Sequence, residues 1–169
     1  MTDTKALLET PRLLIVPLSP RQLRLWTEDL PALEAELQCS YRAEPMEGVF
    51  LEIVRSQADI TDRDPENYLW HSFFFLIRKS DRTVIGSADF KDLPDGRGQA
   101  EIGYGLGRDY EGQGYMTEAV EALCLWAESQ KGLSHVIAET DLEGLASQRV
   151  LRRCGFKEYS RGETLWWIR

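Results

Sequence analysis

The chain has 169 residues, of which 43% are hydrophobic and 28% charged, and a formal net charge of −8. That length fills one hydrophobic core and is short for two, so a single domain over residues 1–169 is expected. The acidic balance excludes a nucleic-acid surface, which needs clustered Lys and Arg to displace counterions from phosphates, and no apolar run reaches the roughly 18 residues of a membrane span.

The opening stretch MTDTKALLETPR lacks the apolar block of a signal peptide, so the chain is expected to stay in the cytoplasm. Thr10–Ser19 (TPRLLIVPLS) reads as a short apolar strand bounded by Pro11 and Pro20. A helical region with Leu23, Leu30, Leu33 and Leu37 follows it. A second helical stretch, about Gly48 to Ala58, places Phe50, Ile53, Val54 and Gln57 at mixed three- and four-residue spacing. The acidic run SQADITDRDPEN sets Asp59, Asp62, Asp64 and Glu66 against Arg63 alone, and reads either as a solvated helix end or as a wall that attracts an amine.

The pattern then changes. His71–Lys79, Thr83–Phe90 and Gln99–Leu106 are three consecutive strands, joined by the turns SD and LPDGRG. Such short turns predict an antiparallel meander. The unbroken apolar run Phe73–Ile77 predicts a strand covered on both faces. After Gly114 a helix is expected to about Gln130, with Ala119, Val120, Leu123, Trp126 and Ala127 on one stripe. A buried strand His135–Thr140, a helix Leu145–Cys154 ended by Gly155, and two short strands, FKEYS and TLWWI, complete the chain. The strand, helix, strand unit from Gln99 to Thr140 predicts one parallel crossover in an otherwise antiparallel sheet.

Cys39, Cys124 and Cys154 are odd in number and widely spaced, which fits free thiols in a reducing compartment better than a disulfide framework or a zinc knuckle. With only His71 and His135, far apart, no metal site is expected. His71 reads as a structural histidine at a strand start. Trp70, Trp126, Trp166 and Trp167 read as packing.

The stretch YEGQGYMTEAVEAL runs from two glycines straight into a helix. Gly112 and Gly114 permit a sharp turn that aims helix-start amides, and the dipole behind them, at an anion. By spacing alone, a tight connection without ligand explains it equally well, because the third glycine of a dinucleotide fingerprint and the Gly-Lys-Ser/Thr of a P-loop are both missing.

Together, LETPRLLIVPLS, AEIGYGLGRDYEGQGYMTEAVEAL and AETDLEGLASQRVLRRCGF resemble the GNAT superfamily of acetyl-CoA-dependent N-acetyltransferases, in particular its RimJ/RimL-like branch. The resemblance covers nearly the whole chain. It implies an α/β (α+β) fold with a mixed, mostly antiparallel sheet, flanked by helices and splayed between the strands Gln99–Leu106 and His135–Thr140, with the pantetheine arm of acetyl-CoA in the gap. It further implies that the amides of Gly112, Gln113, Gly114, Tyr115 and Met116 hold the pyrophosphate, with Thr117 close by. Three positions depart from the family pattern: Glu111 opens the loop where Arg or Gln is usual, Met116 closes it where Gly or Ala is usual, and Gly144 replaces the Asn of Asn-x-x-Ser.

The chemistry implied is direct attack of a primary amine on the thioester, the acceptor being a small cationic amine or a protein N-terminus. Glu101 is the candidate base, acting through a water, while its residue-level alternative is a carboxylate that is paired or faces solvent. A backbone N–H near Leu106 or Gly107 is expected to meet the developing oxyanion. The tyrosine that many members place on the last helix is replaced by Leu151, so Ser147 is the candidate proton donor to the leaving thiolate. By its residue type alone it equally suits a helix cap. At least one of Arg149, Arg152 and Arg153 is expected to face the phosphates, and homodimers are common in the family. The competing expectations are a binding or regulatory module on the same fold, with a loop altered at Glu111, Met116 and Gly144, and a plain interaction domain.

Overall fold

The computed structural model describes residues 5–169; the first four residues of the stretch read for a leader lie outside the described residues. One sheet organises the chain, with strands β1 (Leu8–Glu9), β2 (Leu13–Pro17), β3 (Ser40–Tyr41), β4 (Phe73–Arg78), β5 (Thr83–Phe90), β6 (Gln99–Leu106), β7 (His135–Asp141), β8 (Lys157–Arg161) and β9 (Thr164–Ile168). Their spatial order is β1-β2-β4-β5-β6-β7-β9-β8, with β3 added beside β5. All pairings are antiparallel except β6 with β7 and the short β3 with β5.

The helices are α1 (Pro20–Glu28), α2 (Leu30–Leu37), α3 (Gly48–Arg63), the single turn α4 (Tyr68–His71), α5 (Tyr115–Glu128) and α6 (Leu145–Arg153). Helix α1 starts where Ser19 and Gln22 form a reciprocal capping box ahead of Pro20, and Asp29 caps α2 by accepting from the Ala32 N–H. None of the described helices is long and apolar enough to cross a membrane.

Strand periodicity sorts the core into two layers. Phe74 and Leu76 of β4 point to the layer of α5, which also takes Ala88, Phe90, Ala100, Ile102, Val136, Ala138 and Trp167. Phe73, Phe75 and Ile77 point the other way, to Trp26, Leu33, Val54 and Ala58 of α1, α2 and α3. The run Phe73–Ile77 is therefore covered on both faces, as its composition requires. The apolar part of the second layer stops short: α1–α3 pack over β2, β4 and the start of β5, and no residue of β6 belongs to that cluster.

Several expectations shift. The first strand is shorter, because residues 10–12 form the turn of a β1–β2 hairpin. Helix α3 runs to Arg63 and buries Val54, Ala58 and Thr61, leaving Ile53 exposed. Its interior face is thus set by small and β-branched residues that leave room for α1, and not by the bulkiest ones. His71 ends α4 instead of starting a strand; it is buried, with Nε2 2.9 Å from Asp64 Oδ2. Cys124 and Cys154 are buried free thiols, pushed up to about 12 and about 11 by burial.

Candidate active site

Strands β6 and β7 pair only over Gln99–Glu101 against His135–Ile137. Beyond that point β6 stays with β5 as far as Leu106 while β7 goes with β9, so the two parallel strands part at Glu101. The Lys91 N–H donates to Glu101 O (2.9 Å) and the Gly107 N–H to Ile85 O (2.8 Å). Antiparallel alternation therefore turns the backbone groups of residues 101, 103, 105 and 107 toward β5 and those of Tyr104 and Leu106 toward the gap. Of the two donors expected for an oxyanion, Gly107 is engaged and Leu106 is free to serve.

The gap is a cavity of about 300 Å³ whose floor is the start of α5. Gly112 and Gly114 take left-handed φ values of 73° and 82°, which L side chains rarely adopt, and at Gly112 an added Cβ would meet open space. No side chain caps α5, so its first amides, at Tyr115, Met116 and Thr117, keep their hydrogens for an external acceptor. Arg149 and Arg153 of α6 line the cavity opposite, whereas Arg152 lies over the Trp167 ring at 5.0 Å. Glu111 also lines it. Met116 is buried in the core, so its longer side chain does not fill the turn.

A brace from the β1–β2 turn holds this loop. Arg12 donates from Nε to Glu118 Oε2 at 2.8 Å and from Nη1 to the Gln113 carbonyl at 3.0 Å, and its guanidinium lies 4.1 Å over the Tyr115 ring. The Arg12 N–H and the Thr10 hydroxyl both donate to Glu118 Oε1. Burial opposes ionisation of Glu118, yet these hydrogen bonds hold its carboxyl below the usual range.

At the side of the gap, the Tyr104 hydroxyl stands 2.8 Å from Ser147 Oγ in the first turn of α6. Burial pushes the Tyr104 phenol up to about 12, against the Ser147 hydrogen bond, so it carries its proton at neutral pH. Leu151, in the helical position expected to lack a tyrosine, is fully buried. Gly144 has an unstrained φ of −74°, and the β7–α6 turn is tied by Gln148, whose Nε2 donates to Asp141 O at 3.0 Å and Leu142 O at 3.1 Å.

On the opposite face of β6, Glu101 is half-buried and its carboxyl is raised by burial, eased by Lys91 and reinforced by Glu139 and Asp89. Asp89, directly across from Gly103, is 7% exposed and is pushed up to about 6 by burial, with Lys91 opposing. Glu44, from the loop after β3, lies over Gly105 and lines the cavity; burial raises its carboxyl as well.

Leu106, Gly112, Gly114, Tyr115, Met116, Thr117 and Ser147 thus line one cleft. Gln113, between the two loop glycines, is not among the lining residues; its carbonyl accepts from Arg12 and its side-chain amide donates to the Asp109 carbonyl. Glu101 sits at the fork, on the face away from Tyr104. Sequence reading missed Tyr104, Arg12, Glu44 and Asp89. The alternation in AEIGYGL does mark Tyr104 and Glu101 as facing opposite ways; nothing local marks the other three.

A family profile described as "Acetyltransferase (GNAT) domain" matches residues 21–157. The N-acetyltransferase YjdG of Bacillus subtilis (strain 168) is 28% identical over 152 residues, covering 84% of this chain and 90% of its own. Among solved structures, RimL, a ribosomal alpha-N-protein acetyltransferase in complex with coenzyme A, aligns with a TM-score of 0.69 at 15% identity, covering 98% of this chain and 97% of that one. The ribosomal-protein-S5-alanine acetyltransferase from Vibrio fischeri aligns with a TM-score of 0.68 at 17% identity, covering 96% and 94%. With the profile spanning most of its length and the sheet splayed at Glu101, the chain belongs to the GNAT acetyltransferase family, an acetyl-CoA-dependent acyltransferase family.

Proposed function

We propose that this protein transfers the acetyl group of acetyl-CoA to a primary amine, either a small cationic amine or a protein N-terminus, by direct attack. The observation that carries the reading is the fork at Glu101, which leaves the Leu106 N–H unpaired above uncapped amides at the start of α5. The cleft fits the donor: the amides of Tyr115, Met116 and Thr117 and the guanidinium groups of Arg149 and Arg153 suit a pyrophosphate, and the narrow gap suits a pantetheine arm.

Acetyl-CoA supplies the activated thioester. The residues of this chain divide the remaining work between the two faces of β6. The Leu106 N–H is pre-aimed at the carbonyl oxygen and stabilises charge that develops there without reorganisation. Glu101, with its pKa raised by burial, accepts the proton of the attacking amine through a water. This help matters most for an alkyl amine of pKa about 10.4, which is almost wholly protonated at neutral pH, and less for an α-amine near about 8. On the other face Ser147 Oγ, hydrogen-bonded to the Tyr104 hydroxyl, gives its proton to the departing sulfur.

Calorimetric titration with acetyl-CoA, followed by a free-thiol assay across amines, tests the reading. Micromolar binding and amine-dependent thiol release are expected. Binding without release from any amine would favour a binding module. Absence of binding up to millimolar concentrations would remove both.

A further inference from the structure

Glycines stand at Gly105 near the end of β6 and at Gly107 just past it, and the loop after β3 lies flat against both. A Cβ on Gly107 would meet the Arg42 carbonyl oxygen at 2.5 Å and Ala43 Cα at 3.4 Å, and one on Gly105 would fall on the Glu44 carboxylate, with its Cδ 2.6 Å away. Backbone contacts hold the loop in place. The Arg42 N–H donates to Val84 O at 2.9 Å, extending the β3–β5 pairing, and the Tyr41 hydroxyl donates to Glu44 O at 2.5 Å. The Glu44 carboxylate is left over: no described residue donates a hydrogen bond to it or forms an ion pair with it. A Cβ on Gly105 lies three bonds from the Leu106 nitrogen, so the carboxylate stands within about 6 Å of the Leu106 N–H.

Acetyl transfer takes two protons from nitrogen, and Glu101 accounts for one. An amine that arrives as an ammonium loses a proton before attack and another afterwards, when the nitrogen of the tetrahedral adduct carries a positive charge. Ser147 donates to sulfur and accepts neither. Glu101 lies four residues before Gly105, about 13 Å along the strand, and does not line the cleft. Glu44 does line it, together with Gly105, Leu106, Tyr104 and Ser147. The other carboxylate among the described lining residues is Glu111, which opens the loop suited to phosphates. Packing against β6 raises the affinity of the Glu44 carboxyl for a proton, while the residue as a whole is exposed, so a proton taken there can pass to solvent.

We propose that Glu44 is a second catalytic carboxylate, which touches the attacking nitrogen and takes its second proton as the tetrahedral adduct collapses. This role rests on the acetyl-transfer reading above. The nitrogen lone pair forms the C–N bond and drives the carbonyl π pair onto the oxygen beside the Leu106 N–H. Glu44 then removes the remaining acidic N–H proton, the oxygen pair re-forms the C=O bond, and the C–S bond breaks with its electrons on sulfur, which takes the Ser147 proton. Solvent returns a proton to Ser147 and collects those held by the two carboxylates, so an ammonium acceptor yields amide, free thiol and one proton, with nothing oxidised or reduced.

The test is thiol release by the full chain at saturating acetyl-CoA, with n-butylamine and with an alanyl peptide as acceptors, from about pH 7 to about pH 9.5. Glu44→Gln is expected to lower kcat by about 100-fold with both acceptors, because the second proton must leave whatever the acceptor's charge in solution. Its Kd for acetyl-CoA should stay within about twofold, which also shows that the variant is folded. Glu101→Gln should behave differently: its loss is larger with butylamine than with the peptide and shrinks as pH rises, since solvent then takes the first proton. Glu44→Asp, with the carboxylate drawn back by one methylene, should fall between Glu44→Gln and the unaltered chain. A Glu44→Gln loss that is confined to KM, stays within about threefold in kcat, or recovers with pH as that of Glu101→Gln does would overturn the proposal and leave acetyl transfer standing. No release by the unaltered chain with either acceptor would sink transfer to these amines, and the role of Glu44 with it.

Discussion

The hydroxyl of Tyr104 and the Oγ of Ser147 lie 2.8 Å apart, joining β6 to the first turn of α6 across the side of the cleft. The pair supplies from a strand the phenol that Leu151 withholds from the helix, and it keeps both hydroxyls on the face opposite Glu101. Ser147→Ala and Tyr104→Phe are each expected to lower kcat by about 10- to 100-fold, as for loss of a positioned proton donor, with little change in KM for acetyl-CoA. If the two act as one unit, the double variant is no slower than the worse single one. Steady-state thiol release reads this out, and equal, additive, few-fold losses would assign the pair a structural role.

Arg12 acts at a distance from any reacting atom. Its bonds to Gln113 O and Glu118 shape the turn whose amides face the cleft. Arg12→Ala should therefore raise the Kd for acetyl-CoA by about tenfold, leave kcat at saturation within about twofold, and cost about 1–3 kcal/mol of stability by leaving Glu118 short of donors. Arg12→Lys restores one contact only and should recover affinity in part, because a lysine cannot serve both acceptors as a guanidinium does. Titration calorimetry alongside denaturant unfolding checks both effects.

Glu111 puts a carboxylate at the edge of a site suited to phosphates. At roughly 8 Å such a charge costs about 0.5–2 kcal/mol per phosphate charge, for effective dielectrics of 80 down to 20. Glu111→Arg should then tighten acetyl-CoA by about tenfold, with the gain shrinking as salt is raised. A Kd that does not move at low salt would place the diphosphate elsewhere.

Asp89 gives a signed pH prediction. Its folded pKa of about 6 lies above the ordinary 3.8, so between those values the folded state binds more protons than the unfolded one. Stability from this group is therefore lost as pH rises through that window, and levels off above it. Asp89→Asn should stabilise the protein by about 3 kcal/mol above neutrality, or about 6–12 °C in Tm, and by almost nothing near pH 4. Thermal unfolding at the two pH values decides, and a destabilised variant at high pH would mean that the carboxylate has a partner.

Two strand glycines should respond differently to a methyl group. A Cβ at Gly86 would meet the Gly105 carbonyl at 2.5 Å, a backbone atom that cannot yield, so Gly86→Ala should cost about 1–3 kcal/mol. At Gly105 the obstacle is the end of the Glu44 side chain, which can swing away. Gly105→Ala should keep near-native stability and instead raise KM for the amine. Urea unfolding paired with amine kinetics separates the two outcomes.

Much of this protein was determined by the sequence alone. The alternation in AEIGYGL, the apolar run FFFLI and the Gly112–Gly114 turn before an amphipathic helix depend on neighbours within one element, and local sterics and periodicity decide them. They defined the meander, the parallel crossover and the cleft-lining loop. Tertiary structure decided the rest. Thr10 and Arg12 meet Glu118 from more than 100 residues away, Tyr104 finds Ser147 across 43, and Glu44 reaches Gly105 from a loop without any motif. Such pairings follow from strand order and from where β6 and β7 part, because a side chain acquires its partner, and a carboxylate its raised pKa, only when packing removes the water that would otherwise serve every group alike.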